Sequence, residues 1–488
     1  MVARRRRSSR GSPERRWICR CPRYGRSRWA RGQSRKVLDL PMPKVWAFAV
    51  GQFGWALLSG IISNWLVYFY QPDNETIAQG QTVFVPQGLA VLGVVTVVGG
   101  ITAFARFFDA FVDPAVASLS DRCRSVAGRR MPFLKFAALP LALVTVLVFW
   151  SPINGTSWVN GVFLFVAVIG YYIALTFYCT PYNALIAELG HDSKQQLTIS
   201  TAISFTWVAG TAIAYVAPVV WAGFVPGLGR VNAIRLTFSI MAAIALACML
   251  VPPLAIKERD YVNSQPTSES TVESLKQTFG DGEFRKFVCS DVVYWVAITT
   301  FQTGLPFFVT SLLKLPETTT TIYFVLMTAV SVLFYLPVNL MANHVGKKRI
   351  LLVALAIFTC AFAFAGALGS GLLGAIPPMA QGLILSIVGA IPMAAFGILP
   401  QAIVANIADA SSKTTGQDRQ GMFYAARTFA MKMGQSVAML LFTGVSTIGM
   451  ASGTGYRIAA ICAAVLCGMG GLVFAFYNER KVLGVLES

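Results

Sequence analysis

The sequence is short of charge. Asp, Glu, Lys and Arg together make up 12% of its 488 residues, where a soluble protein carries about 25%. With 55% hydrophobic residues, most of its surface has to face lipid and not water. Alternation is missing as well. The apolar residues come in continuous runs and not in the period-2 pattern of barrel strands, which excludes a transmembrane β-barrel. Histidine is nearly absent: His191 and His344 are the two in the chain, and both fall in polar turns between apolar runs. No Ser/His/Asp or Cys/His set lies within a run, and no Gly-rich phosphate loop follows a strand, so the chain is not read as an enzyme. The nine cysteines supply no framework. Cys179, Cys248, Cys360, Cys462 and Cys467 sit in apolar runs as small hydrophobes, and Cys19 and Cys21 lack the partners a zinc site needs.

What is present is a series of twelve apolar segments, at roughly 45–71, 89–116, 132–151, 158–188, 198–224, 233–256, 286–313, 319–343, 350–370, 376–406, 420–445 and 455–478. Each is about long enough to cross a hydrocarbon core as one helix. The expected fold is an all-α membrane protein of 12 transmembrane helices in two six-helix pseudo-symmetric halves. An even count puts both termini on one side. The connections on that side, with the C-terminal tail, carry eighteen Lys/Arg; the opposite connections carry four, Arg230, Arg235, Lys314 and Arg457. The positive-inside bias therefore predicts a multi-pass protein of the cell membrane with both termini cytoplasmic.

The longest connection, 257–285 (KERDYVNSQPTSESTVESLKQTFGDGEFR), divides the chain. The expected organisation is a disordered basic extension over 1–42, an N-terminal six-helix half over 43–256, a cytoplasmic linker over 257–285, a C-terminal half over 286–478 and a tail over 479–488. The halves echo each other. SDRCRSVAGRR follows segment two and MANHVGKKR follows segment eight, each with a glycine before basic residues, Gly128 and Gly346. Duplicated halves are one way transporters are built, with the substrate near the midplane.

Residues 1–44 hold 15 Lys/Arg against 2 Asp/Glu and show no apolar period able to bury a core. A polybasic tail on anionic lipid or nucleic acid, an Arg-rich transit peptide, a passive leader and a true start at Met42 are all readings of such a segment. The passive leader or the later start is the expectation, with no nucleic-acid partner.

Segment two holds the main anomaly, RFFDAFVDPAVASLSDRCRSVAGRRMP from Arg106. Arg106, Asp109 and Asp113 are spaced i, i+3 and i+7, which puts all three on one helix face. Charges there need a partner or a wet cavity. Two carboxylates one turn apart repel, and both ionise only with a cation or proton between them. Oxygen ligands suit a small hard cation such as sodium, by analogy with harder divalent ions. The pair Asp109 and Asp113 thus reads as a cation or protonation site, the only metal site expected. An Arg106–Asp109 clamp with Asp113 capping the helix end is the other reading. Lys432, a lone cation in TFAMKMGQSVAMLLF, needs an internal acid. Asp121, Arg122, Gly128, Arg129 and Arg130 fall in the aqueous turn and are expected to pin neighbouring helices in one conformation. Arg427 invites either an anionic substrate group or a pairing with Asp291 or Asp409. Asn64, Gln302, Tyr294 and Trp295 are polar or amphipathic residues inside apolar runs that could line a cavity, the two aromatics also being candidate interfacial anchors. Trp65, Tyr68, Phe69 and Tyr70 are expected to form an outer aromatic belt.

The stretch DAFVDPAVASLSDRCRSVAGRRMPF resembles the major facilitator superfamily, and closely its glycoside–pentoside–hexuronide:cation symporter branch, the melibiose permease relatives. LVYFYQP (66–72), TFYCTPYNALIAEL (176–189) and DRQGMFYAARTFAMKMGQS (418–436) are similar to that family's first, fourth and eleventh helices, in matching order over about 43–480. The resemblance implies that Asp109 and Asp113 bind the coupling cation, that Thr176 adds a hydroxyl ligand, and that Lys432 neutralises the acids when the cation is absent. It implies no cofactor beyond Na+ or H+ as coupling ion. The partners implied are a small-molecule sugar or glycoside, the coupling cation and membrane lipid, with the protein acting as a monomer. The family's sugar-binding carboxylates fall at Ala56 and Cys179, its helix-four tryptophan at Asn183 and its helix-five arginine near Ala202. Galactoside recognition is therefore not expected, and Asn64, Cys179, Asn183, Gln302 and Arg427 are the candidate substrate residues. The expected function is cation-coupled symport by alternating access. The alternative cargo is a lysophospholipid or other anionic amphiphile, met by Arg427.

Overall fold

The structure is a computed structural model that describes residues 39–91, 95–121, 123, 125, 128–190, 193–262, 278–415, 420–449 and 452–487. The basic extension over 1–38 and the linker core over 263–277 lie outside the described residues, as do Arg122 and His191. The described residues are almost entirely helical. Twelve long helices run in order: α1 Met42–Tyr70, α2 Val97–Asp121, α3 Met131–Val148, α4 Trp158–Leu189, α5 Ser193–Leu228, α6 Arg230–Ala255, α7 Gly282–Phe307, α8 Thr318–Val345, α9 Lys347–Ala367, α10 Pro378–Thr415, α11 Gln420–Val445 and α12 Thr454–Ala475.

Ten of these are long and apolar enough to cross a membrane. The two that are not, α2 and α11, carry Arg106, Asp109 and Asp113 and Arg427 and Lys432 respectively. Those two pack on each other, so each gives the other the polar partner that lipid would deny it.

The halves repeat their packing. In the first, α1 packs on α5 and α6, α2 on α4, α3 on α4 and α6; in the second, α7 packs on α11 and α12, α8 on α10, α9 on α10 and α12. Each pair recurs six helices later, as a duplicated ancestor would leave it. The halves meet mainly through α2 with α11 and α5 with α8, two pairs that the same offset interchanges. One of these pairs is charged; the other is aromatic, with Tyr215 stacked on Phe324 at 3.5 Å.

The repeat extends to the helix starts. Gly128 and Gly346 both have left-handed backbones, φ +119° and +97°. After Gly128, the Glu258 carboxylate accepts from the backbone N–H groups of Arg129, Arg130 and Met131 at 2.7, 2.8 and 2.9 Å. After Gly346, Glu479 accepts from Lys347 and Lys348 at 2.9 and 3.1 Å. Both acids open a Glu-Arg pair just past the last helix of their half, and each satisfies the orphan donors of a helix N-terminus. A Cβ on Gly128 would lie 2.3 Å from the Glu258 carboxylate. Both glycines lie at the basic end of the molecule, opposite its far end.

Three sequence expectations are corrected. Residues 89–91, 95 and 96 of segment two are not helical, and α2 starts at Val97; Val91 and Val95 exchange backbone hydrogen bonds in an isolated bridge. Segment ten runs nine residues beyond 406, to Thr415, because hydropathy marks the bilayer and not the helix end. The aromatics closing α1 do not form a lipid-facing belt. Trp65, Tyr68, Phe69 and Tyr70 are all 3% exposed or less. Their polar tips are used inside: the Trp65 indole donates to the Ala214 carbonyl, Tyr70 to Val148 and Tyr68 to Glu317. Tyr294 is likewise buried, stacked on Phe396 at 3.6 Å.

Polar contacts between the halves gather at the far end and midway. At the far end Glu317, just before α8, accepts from both Arg230 terminal nitrogens at 2.5 and 3.0 Å, from the Trp221 indole at 2.6 Å and from the Tyr68 hydroxyl at 2.9 Å. Asp73 accepts from Thr310 at 2.7 Å and from Ser311. Gln71 donates to the Thr443 carbonyl and to Ser446, both at 3.0 Å.

Candidate cation site between the two halves

Midway along α2, the charged residues meet α4 and α11. The Lys432 ammonium bridges the two acids, 2.6 Å from Asp109 Oδ2 and 2.5 Å from Asp113 Oδ2. On the other side of each carboxylate stands a threonine of α4. Thr176 donates to Asp109 Oδ1 at 2.5 Å, and Thr180 donates to Asp113 Oδ1 at 3.1 Å. Two i, i+4 pairs on neighbouring helices therefore face each other in register.

The site has two levels. The Asp109 side chain is 5% exposed and that of Asp113 is 27% exposed, with Lys432 between at 17%. A proline follows the shallower residue on each helix, Pro114 after Asp113 and Pro181 after Thr180. Each proline removes one intrahelical N–H. The carbonyls of Ala110 and Phe177 lose their usual donors there, which makes both helices more polar at the level of the site.

Arg106 does not clamp Asp109. Its guanidinium donates to Gln435 Oε1 at 2.7 Å and to Ser63 at 3.2 Å and lies over the Tyr172 ring. Ser436 of α11 donates to the Ala103 carbonyl of α2 at 2.8 Å. The site is thus built across the interface: its acids belong to one half and its ammonium to the other.

The turn residues bind the first half. Arg130 pairs with Asp121 at 3.0 Å and with Glu188 at 2.6 Å, and Arg129 pairs with Glu188 at 2.5 Å. Together with Gly128 and Glu258, they tie α2, α3, α4 and the segment after α6 into one unit. Sequence reasoning missed Glu188 and Glu258; the shared Glu-Arg after the last helix of each half was the signal for the second.

The candidate substrate residues divide. Asn64 of α1 is buried, and its amide nitrogen finds no acceptor among the described residues. Gln302 of α7 is half-buried between Thr299 and Thr303, two buried hydroxyls also without partners there. Cys179 is half-buried in the field of Lys432, Asp113 and Asp109. Asn183 is exposed. Arg427 is bound to Asp291 by two bonds, Nε to Oδ2 at 2.9 Å and Nη2 to Oδ1 at 3.1 Å, with both residues buried. Its charge is matched within the second half, so the pairing reading is the one the structure shows. Arg427→Leu leaves Asp291 buried without its counter-ion. It is expected to destabilise the protein by about 3–5 kcal/mol, the usual result of removing one partner of a buried pair. Thermal melting of the detergent-purified variant checks this, and an unchanged midpoint would count against a structural role.

Comparison with known proteins agrees with this architecture. The family model described as MFS/sugar transport protein matches residues 47–476. Among curated proteins, the inner membrane symporter YicJ of Escherichia coli is 27% identical over 227 residues, 45% of this chain and 47% of that protein. The isoprimeverose transporter of Lactiplantibacillus pentosus is 23% identical over 54% of this chain and 51% of its own length. The putative glycoside/cation symporter YagG of Escherichia coli is 27% identical over 40% and 44%. The chain spans about half the length of the curated relatives it matches. Among solved structures, the nucleoside transporter NupG superposes with a TM-score of 0.59 at 14% identity, covering 89% of this chain and 100% of its own, which speaks for the fold alone. A family match over nearly all of the described helices, on a duplicated twelve-helix scaffold, makes the chain a member of the MFS/sugar transport protein family, in the glycoside–pentoside–hexuronide:cation symporter branch of the major facilitator superfamily, whose members are membrane transporters and not enzymes.

Proposed function

We propose that the protein is a cation-coupled symporter of a sugar or glycoside that works by alternating access, with Na+ or H+ as coupling ion. One observation carries this reading: a lysine of one half occupies the space between two carboxylates of the other, as a built-in substitute for a free cation. A cation arriving at Asp109 and Asp113 competes with the ammonium, so its binding changes what joins α2 to α11. The far-end seal is the second element of the cycle. With both termini cytoplasmic, the far end is extracellular, and the conformation is closed to the outside.

Sugar is favoured over an anionic amphiphile because Arg427, the residue that would meet a phosphate, is neutralised by Asp291. The unpartnered buried polar groups at Asn64, Thr299 and Thr303 suit a hydroxyl-rich ligand, since buried polar atoms rarely stay unpaired. One relative named as an isoprimeverose transporter and one as a putative glycoside/cation symporter support the same class.

Coupling between two sites is reciprocal. The sugar that the protein carries should therefore lower the sodium or proton concentration needed to stabilise the purified protein, and the cation should lower the sugar concentration by the same factor. Couplings of this kind are typically about 1–3 kcal/mol. A panel of sugars and lysolipids titrated against thermal melting, with and without sodium and at two pH values, gives the test. Stabilisation by sugar that ignores both cations would remove the coupling, and stabilisation by lysolipids alone would replace the cargo.

A further inference from the structure

Thr180 departs from the commonest behaviour of the helical threonines here. Thr102, Thr145, Thr206, Thr237, Thr300 and Thr443 each donate their hydroxyl to the carbonyl four residues back, the usual local outlet for this side chain. Thr176 and Thr180 do not. Both reach across to α2 and meet an aspartate, with the same 67-residue offset in each case. Thr180 serves Asp113, the more exposed acid, and is itself half-buried.

The chemistry of that position separates a metal ion from a proton. A proton binds one carboxylate oxygen and needs no further ligand. An alkali cation loses its hydration shell on entering a site and needs several oxygens in return. A threonine hydroxyl is two-sided: its oxygen keeps lone pairs, and its hydrogen rotates to suit. While Lys432 holds the acids, Thr180 donates to Asp113. With a metal ion there instead, the same oxygen can turn its lone pair inward and add a ligand without adding charge.

We propose that Thr180 Oγ1 is a ligand of the coupling ion, that it works with Asp113 at the shallow level of the site, and that it selects a small alkali cation over the proton. The inference rests on the cation-coupled reading above and narrows it to sodium or lithium. Asp113 and Thr180 then form the first step for an ion arriving from the wetter side, and Asp109 and Thr176 the deeper one.

Thr180→Val keeps the shape and removes the oxygen; Thr180→Ser keeps the oxygen; Thr180→Ala serves if the valine crowds α2. The measurement is the sodium concentration that gives half-maximal thermal stabilisation of the purified full-length protein. Choline chloride holds ionic strength constant, and lithium and pH are varied in parallel arms. Thr180→Val and Thr180→Ala are expected to raise the half-maximal sodium concentration about 10-fold or more, the scale on which ligand-shell changes act on metal affinity. Thr180→Ser is expected to restore it while shifting the lithium-to-sodium preference. Equal sodium midpoints in wild type and both hydroxyl-free variants would overturn the proposal. Stabilisation of the wild type by acid but by neither alkali ion would overturn it too, and would leave proton-coupled transport standing. Loss of every cation response in the wild type would bring down the coupled reading itself.

Discussion

Asp113→Asn is expected to bring concentrative uptake down to simple equilibration. One elementary charge crossing 100 mV carries about 2.3 kcal/mol, enough to concentrate a neutral solute roughly 50-fold at about 1.4 kcal/mol per factor of ten. The coupling ion delivers that energy only if the empty and loaded sites differ in which cation they hold. In the wild type two carboxylates face one ammonium, so an incoming ion finds net negative charge and displaces Lys432 from one of them. With asparagine at 113, Asp109 and Lys432 form a neutral pair. The incoming ion would then have to compete for the single remaining acid, which is also the more deeply buried one. Asparagine fills nearly the same volume, so the helices should still pack. The accumulation ratio in membrane vesicles under an imposed sodium or proton gradient should fall from tens to about one. Exchange of labelled for unlabelled substrate, which needs no net coupling, should survive. Full uphill uptake by the variant would remove Asp113 from the mechanism.

The residues behind that prediction were visible in the sequence because lipid makes charge conspicuous. An aspartate or a lysine within an apolar run has to be explained, and Asp109, Asp113 and Lys432 are drawn together in the structure. The twelve helices were legible for the same reason, since hydropathy reports the bilayer directly. Hydropathy says nothing about where a helix stops in water, which is why α10 overran its segment. It also misled at the start of segment two, where residues 89–91, 95 and 96 are not helical. Radial direction was hidden too. Trp65, Tyr68, Phe69 and Tyr70 stand at the end of an apolar run, as belt residues do, yet they turn inward toward Ala214, Val148 and Glu317. Thr180 passed unnoticed because a threonine in a helix normally satisfies itself. Only the matched register of α2 and α4 gives its hydroxyl a different meaning. Glu317 was invisible for a related reason: it lies in a short turn, and its partners come from α1, α5 and α6, up to 249 residues away.

Glu317→Gln is expected to break the seal at the far end and shift the protein toward the conformation open on that side. Glu317 belongs to the second half, and its three partners, Tyr68, Trp221 and Arg230, belong to the first. Their side chains are almost fully buried. Glutamine can keep some hydrogen bonds, but it leaves the Arg230 guanidinium buried without its anion. The usual penalty is about 3–5 kcal/mol, and it falls mainly on the closed state, because separating the halves gives Arg230 back to water. A bias of that size moves a two-state equilibrium by roughly two to four orders of magnitude. Thr303 lies below the seal on α7 and is 1% exposed, so a cysteine placed there reports opening. A membrane-impermeant maleimide added from the far side should label Thr303→Cys about 100-fold faster when Glu317→Gln is present. Arg230→Gln alone should act in the same direction, since it strands the carboxylate in turn. The double variant removes both charges and leaves neither stranded, so its labelling should fall back toward the parent rate. That non-additivity separates a charge pair from mere loosening. Equal labelling in all four proteins would mean that the seal lies elsewhere, and that Asp73 with Thr310 and Gln71 with Thr443 hold the halves together without it.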